Sequence, residues 1–286
     1  VRPLVDALLR MEPDAIVVHS GHNELLRGAL DPLASLGLLA TWRLQALRSS
    51  ALFRWLDQMA PADPAHAQLK GEGQRWVGGV ATSRAAQSAE PLAHARYLKA
   101  APARYRDNLR AIAAQAGAAG VPTVFVLPAA NLRFPPKSPA HALGFARGTA
   151  YEAALQTSQQ AFQAKDLATS LEALDGAIAL SPRHAFAHFG RGLTLLAMDR
   201  REEALGAFRR ARDLDDWTHR ITTPLEEAFM AAMADVEGTF LDARQIVDPL
   251  APQQASGFTD HCHLSAAGHA ALADALAPLL LSVVKQ

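Results

Sequence analysis

The period of the apolar positions changes several times along this chain, and each change marks an element. Leu4, Val5, Leu8, Leu9 and Met11 recur at helical spacing and predict an opening helix that ends near Glu12-Pro13. The run from Asp14 to His19 is apolar and β-branched through its middle and predicts a buried parallel strand, left through Gly21. Asp31 to Met59 returns to helical spacing, with Leu33, Leu36, Leu39, Leu44, Leu47, Phe53 and Leu56 on its apolar faces. Pro61 to Ala89 is rich in Gly, Pro, Ala and Ser and reads as a long surface loop. A helix follows from about Pro91 to Ala119, with Pro102 as its candidate kink; Gly120 closes it, and Val121 to Leu127 is a second buried strand. Helix, glycine, then apolar strand is the signature of an α/β crossover.

The loop after that strand, Pro128 to Lys137, is stiffened by prolines. Open α/β sheets place ligands at the carboxyl ends of their strands, so Arg133 in this loop is a candidate contact for a substrate or a structural anion. A solvent-facing arginine is the plainer alternative. From Tyr151 to Asp216 the pattern is purely helical and repeats itself. Ser170, Leu174 and Ala177 correspond to Ala204, Phe208 and Ala211, each pair 34 residues apart, and Gly192 stands twelve residues before Ala204. This segment resembles the tetratricopeptide repeat, although Arg191 stands where a Leu is usual. Two copies fall short of the three that a free-standing array needs, so they are expected to lean on the rest of the chain. A helix from Pro224 to Glu237, a strand at Thr239 to Asp242 and a last helix from Ser265 to Val284 then resume the α/β pattern. Ser265 is placed to cap that last helix, and Leu272, Leu276, Leu279 and Leu280 form its inner face. The expected organisation is an α/β domain over 1–148, a helical insertion over 149–220, and the rest of the α/β domain over 221–286.

Composition narrows the classes. In 286 residues, 28 basic side chains cancel 28 acidic ones, which argues against a nucleic-acid partner. The single cysteine, Cys262, excludes an intrachain disulfide. The C-terminal apolar run from Ala270 to Val284 is broken by Asp274 and Pro278 and reads as too short for a bilayer, so no membrane segment is expected. The chain opens on Val1 inside an amphipathic segment, which is read as the mark of an upstream part cut away; the compartment is left open.

Two short motifs carry the chemistry. Gly21-His22-Asn23-Glu24 follows the first strand, and Asp260-His261-Cys262-His263 precedes the last helix. An Asp three residues before a His can orient it as a general base, and an Asn at a strand end can donate to an oxyanion. Neither can attack a carbonyl. The order of these blocks resembles the SGNH (GDSL-type) hydrolases, and the Asn131-Leu132-Arg133 loop with inserted repeats resembles a bacterial repeat-containing subgroup of them. The resemblance implies a flavodoxin-like, three-layer parallel sheet that is partial here, with its first strands missing and an inserted tetratricopeptide-like segment. It implies that His263 deprotonates a serine, that Asp260 holds its tautomer, and that Asn23 donates to the oxyanion, with Gly21, His22 and Arg133 lining the substrate site. The nucleophile block is expected upstream of Val1, and the chain is expected to be inactive alone. Ser20 receives no nucleophilic role.

Plainer readings stand beside these: Asn23 bracing a turn, Asp260 as a loop residue, His263 as a surface histidine. The spacing of His261, Cys262, His263 and His269 fits no closed structural zinc site, so no metal and no cofactor are expected. The expected partner is a small-molecule or carbohydrate ester. The alternative function is a protein-interaction module that binds through the helical repeats, with the α/β part as scaffold.

Overall fold

A computed structural model of the chain describes residues 2–25, 91–137, 150–215, 219–236, 238–252 and 257–284. The helix expected over 31–59 and the loop expected over 61–89 lie outside the described residues. The chain divides into two compact units, Val1–Glu24 with Pro102–Gln286, and Leu25–Ala101. Both motifs belong to the first unit.

Among the described residues the order is α1 (Arg2–Leu9), β1 (Ile16–His19), α2 (Pro91–Ala118), β2 (Thr123–Leu127), α3 (Ala150–Gln163), α4 (Leu167–Leu180), α5 (Ala185–Ala197), α6 (Arg201–Asp213), α7 (Thr223–Asp235), β3 (Thr239–Asp242) and α8 (Ala266–Val284), with a single 3-10 turn at Ala243–Gln245. The three strands form one parallel sheet in the order β1-β2-β3. This is the mixed α/β class read from the sequence.

The central strand is apolar at four of its five positions and buried at every one, as expected of a parallel strand covered on both faces. β1 departs from its expected burial. It pairs with β2 on one side, and it is partly open: Val17 is 41% exposed and His19 is exposed. A β-branched run reports strand geometry, but it does not distinguish an edge from a centre. The opening helix also stops earlier than its apolar spacing suggested, at Leu9, and Glu12 takes a left-handed φ of 49° before Pro13. α2 runs unbroken through Pro102. Its inner positions Tyr105, Leu109 and Ala116 are almost fully buried. Tyr105 meets Phe229 of α7 at 6.5 Å between ring centroids, and Arg110 bonds Asp235 at the end of the same helix.

One core cluster joins Val126 of β2 to Ala243, Val247, Phe258 and Leu272, with Leu241 and Leu276 packed against it. Ser265 Oγ accepts the Gly268 amide at 3.2 Å and caps α8 as expected. Taken from Ala266, α8 has 19 residues and is long and apolar enough, by length and composition, to cross a membrane. That corrects the expectation of a segment too short to do so. Within this fold its Leu272 is buried in the core, while Leu281 and Val284 near its end are exposed.

The helices α3 to α6 lie in sequence between β2 and β3 and pack as consecutive neighbours. Ser170, Leu174 and Ala177 on α4 and Ala204, Phe208 and Ala211 on α6 are all buried, so the 34-residue spacing marks equivalent inward positions. The close approach of α5 and α6 depends on Gly192, where a Cβ would meet the Phe208 ring at 2.8 Å. A ladder of buried hydroxyls runs through these helices, from Ser158 to Ser170 at 3.0 Å and from Ser170 to Thr194 at 3.1 Å. Their core also takes in residues from elsewhere: Leu132 of the loop after β2 and Leu250 after β3 pack with Leu195, Ala204 and Phe208.

A buried ion network ties α6 to the sheet. Arg212 reaches Glu226 of α7 at 2.5 Å and Thr223 at 2.9 Å. The other oxygen of Glu226 accepts from Arg244 at 2.8 Å, and Arg244 grips Asp242 at the end of β3 with two bonds. Planar guanidinium groups suit such paired recognition of carboxylates.

Candidate active site

β1 ends in a turn that only glycine permits. Gly21 sits at φ +143°, and a Cβ there would approach Ile221 at 2.8 Å, Pro128 at 3.1 Å and the Tyr105 hydroxyl at 3.2 Å. The Tyr105 hydroxyl donates to the Ser20 carbonyl at 2.6 Å and fixes the strand exit. His22 then turns inward. Its Nδ1 accepts the Ile221 amide at 3.1 Å, so that nitrogen is unprotonated and Nε2 carries the hydrogen. Burial, with added repulsion from His19, His261 and His263, drives His22 down to about 3 and keeps it neutral. These couplings place His22 in the electrostatic neighbourhood of the second motif. Asn23, next along the turn, is exposed.

The second motif is a tight turn between Phe258 and Leu264, which pair as an isolated antiparallel bridge. The Thr259 amide donates to the His263 carbonyl at 2.8 Å. Asp260 organises the interior: its Oδ1 accepts the Cys262 amide at 2.9 Å and the His263 amide at 2.8 Å, while its Oδ2 lies 2.7 Å from His263 Nδ1. An ionised carboxylate only accepts, so Nδ1 donates and Nε2 is left as the basic nitrogen. Burial pushes the Asp260 carboxyl up, but the two amides, the His263 ring and the nearby His261 outweigh it and hold it at about 2. The His263 side chain is 73% exposed, so its outer edge is open to a reacting group. Among the described residues no serine hydroxyl bonds that ring.

Cys262 Sγ lies 3.9 Å from His263 Nδ1, beside the Asp260 contact. Burial and the adjacent Asp260 charge raise its thiol to about 12, which makes it a poor nucleophile at neutral pH. Asp260, Cys262 and His263 do present one donor atom each within 4.8 Å, a grouping that shares Cys262 and His263 with the set weighed from the sequence and puts Asp260 in place of His261 and His269. The same His263 nitrogen already donates to Asp260.

The loop after β2 braces this turn, through a residue other than the one its composition pointed to. Asn131 Nδ2 donates to the Asp260 carbonyl and the Asn131 amide donates to the His261 carbonyl, both at 3.0 Å. Arg133 contributes its backbone amide to Asn131 Oδ1 at 3.1 Å; among the described residues its guanidinium makes no hydrogen bond. The buried arginine here is Arg220. It donates to the carbonyls of Asn131 and Phe134 at 3.3 and 3.1 Å and to Asp215 at 3.1 Å. The Phe134 ring packs against His261 at 5.5 Å, and His219 meets His261 at 6.3 Å. Burial drives both histidines down to about 4.

The structure thus holds Asp260 and His263 in contact, braced by the loop after β2, and sets His22 at the exit of β1, where Gly21 makes the turn possible. The sequence reading missed Asn131 and Arg220. An Asn just past a strand end was a legible signal for a loop brace, whereas nothing local marks Arg220 as buried. No protein-family model, no curated protein and no solved structure matches the chain.

Proposed function

We propose that this chain carries the general-base half of a serine ester hydrolase or acyl-transfer enzyme of the SGNH type. In this reading Asp260 and His263 form the acid–base dyad, and Asn23 is an oxyanion donor. On the same reading the nucleophilic serine is not among the 286 residues, and the substrate is an acyl or acetyl ester, with carbohydrate esters included. The observation that carries the reading is the 2.7 Å Asp260–His263 contact, in which a carboxylate already pinned by two amides meets a side chain that is largely exposed. Several features support the finer fold. The parallel order β1-β2-β3 with a helical crossover fits a flavodoxin-like sheet, and the equivalent buried positions of α4 and α6 fit a tetratricopeptide-like insertion over 149–220.

In mechanism, His263 Nε2 takes the serine proton, and Asp260 stabilises the imidazolium that results. The test is hydrolysis of p-nitrophenyl acetate with fluorophosphonate labelling to locate the serine. The 286-residue chain alone is expected to be silent in both. A longer polypeptide that carries the serine is expected to turn over the ester and to lose about 10^4- to 10^6-fold in kcat on His263→Ala. Retained turnover in that variant overturns the dyad, and labelling of the 286-residue chain overturns the location of the serine.

A second reading, a partner-binding module, is favoured by a shallow groove between α3 and α4 floored by Ala173, Gly176 and Ala179, with Leu180 58% exposed at its end. Gly176→Arg would fill that groove. Under this reading the variant loses a protein partner in pull-down while ester turnover is unchanged.

A further inference from the structure

His263 has little packing around it, since nearly three-quarters of its side chain is open. Its ring direction is therefore set chiefly by the 2.7 Å bond to Asp260, with the longer Cys262 Sγ contact at 3.9 Å and the His261 ring at 5.7 Å beside it. The carboxylate can hold the ring only if the backbone of residues 260 to 263 is itself fixed. Inside the turn that work falls to the Asp260 side chain and the Thr259 amide. From outside, Asn131 grips two successive carbonyls, those of Asp260 and His261.

Asn131 is in turn held at three points. Its Oδ1 accepts the Arg133 amide, its carbonyl accepts from Arg220, and the next residue, Leu132, bonds the Pro249 carbonyl at 3.1 Å and is buried in the helical core. Arg220 pairs with the fully buried carboxylate of Asp215, just past the end of α6, and the same carboxylate oxygen accepts the Lys137 amide at 3.2 Å. One continuous set of bonds therefore runs from the end of the helical segment, through Arg220 and Asn131, to the turn that carries Asp260 and His263.

We propose that Asn131, clamped by Arg220, is a positioning residue for the Asp260–His263 pair, and that the docked helical segment thereby sets the geometry of the base. The proposal rests on the reading of that pair as the catalytic dyad. It assigns the repeats a role inside the enzyme, as the anchor of the loop that aims His263. Preorganised geometry of this kind is what separates a present base from an effective one, because small misplacements are costly in rate.

The experiment is nitrogen-15 NMR of the His263 ring in the 286-residue chain, which reads the ratio of Nδ1–H to Nε2–H tautomer without any need for turnover. In the unaltered chain the Nδ1–H form is expected to dominate, and Asp260→Asn supplies the benchmark for a broken pair. Asn131→Ala is expected to lower the ratio by about fivefold, the equivalent of one lost hydrogen bond. Arg220→Lys keeps the charge beside Asp215 but cannot span both loop carbonyls, and it is expected to move the ratio in the same direction by less. If either variant fails to fold, the other carries the test. A fall in melting temperature with the ratio unchanged overturns the proposal, since that is what a purely structural brace would do. In a longer polypeptide with its serine, Asn131→Ala is expected to lower kcat by about ten- to a hundredfold with KM within about twofold. A changed tautomer ratio alongside ester turnover that survives His263→Ala would keep the positioning role and reject the hydrolase reading. Turnover lost on His263→Ala with the ratio indifferent to Asn131 would do the reverse.

Discussion

The helical segment α3–α6 and the turn that carries Asp260 and His263 are ordered by opposite means. In the helices nearly every stabilising partner is close in sequence. Hydroxyls on α3, α4 and α5 bond one another, Gly192 receives Phe208, and equivalent positions recur every 34 residues. The turn is closed by the local bonds of Asp260 but is braced from far away, with Asn131 bonding 129 residues on and Arg220 reaching back 89. Local order leaves a period in the sequence. Long-range order leaves only a residue type in a plausible place.

The largest expected effect tests the local side of that contrast. Phe208 is fully buried between Gly192 and the helical core that also takes in Leu132 and Leu250. Phe208→Ala is expected to cost about 3–5 kcal/mol in urea unfolding. Hydrogen exchange should show the loss of protection concentrated in α5 and α6, with β2 losing less. An equal loss in β2 would mean that the helices and the sheet unfold as one unit.

Glu226→Ala addresses the joint between the two regions and ranks next. It leaves Arg212, 2% exposed, without its strongest partner, although Asp213 and Thr223 still bond it. A cost of about 3 kcal/mol is expected, at the low end for a broken buried ion pair. The sharper readout is the shape of the unfolding curve. If Glu226 locks the helices to the sheet, the single transition should split into two.

These contrasts explain what the sequence made legible. The parallel α/β class, β2, β3, the helical character of 150–213 and the cap at Ser265 all followed from period, β-branching and turn chemistry. The Asp-x-x-His spacing pointed to a pair, and the turn does bring Asp260 and His263 into hydrogen-bonding contact, because Asp260 can reach the amide three residues on and the ring beyond it. The exposure of β1 was not legible, since strand composition is the same with one neighbour or two. Arg133 drew attention by its place in the loop at a strand's carboxyl end, but the loop turns its backbone to Asn131, and the buried cation beside that loop is Arg220, a residue that no local pattern distinguishes.

Gly21→Ala is expected to have a smaller effect, about 2 kcal/mol, because it combines a disfavoured φ with a close approach to Ile221. Its consequences should be confined to the long-range side of the comparison. Exchange protection is expected to fall at β1 and near Tyr105, with α3 and α4 unchanged. A uniform loss across the helices would show that the two regions share their order after all.

The smallest effect is a slope. His22, His219 and His261 are held at about 3, 4 and 4 in the folded protein, chiefly by burial, against an ordinary imidazole value of 6.5. Between those limits the unfolded chain binds more protons than the folded one, so stability is complete above 6.5 and falls as pH drops toward 4. Asp260 acts in a separate window. Its folded value of about 2 lies below the ordinary 3.8, so its contribution is present above 3.8 and is lost only as pH falls toward 2. His22→Asn isolates one histidine, because the Asn oxygen can replace Nδ1 as acceptor for the Ile221 amide and cannot titrate. Urea unfolding between pH 7 and 4.5 should then show proton uptake on unfolding reduced by about one proton, with stability at pH 7 little changed. An unchanged slope would mean that His22 charges as readily in the fold as in water. The packing of the β1 exit and Ile221 around it would then be looser than these contacts describe.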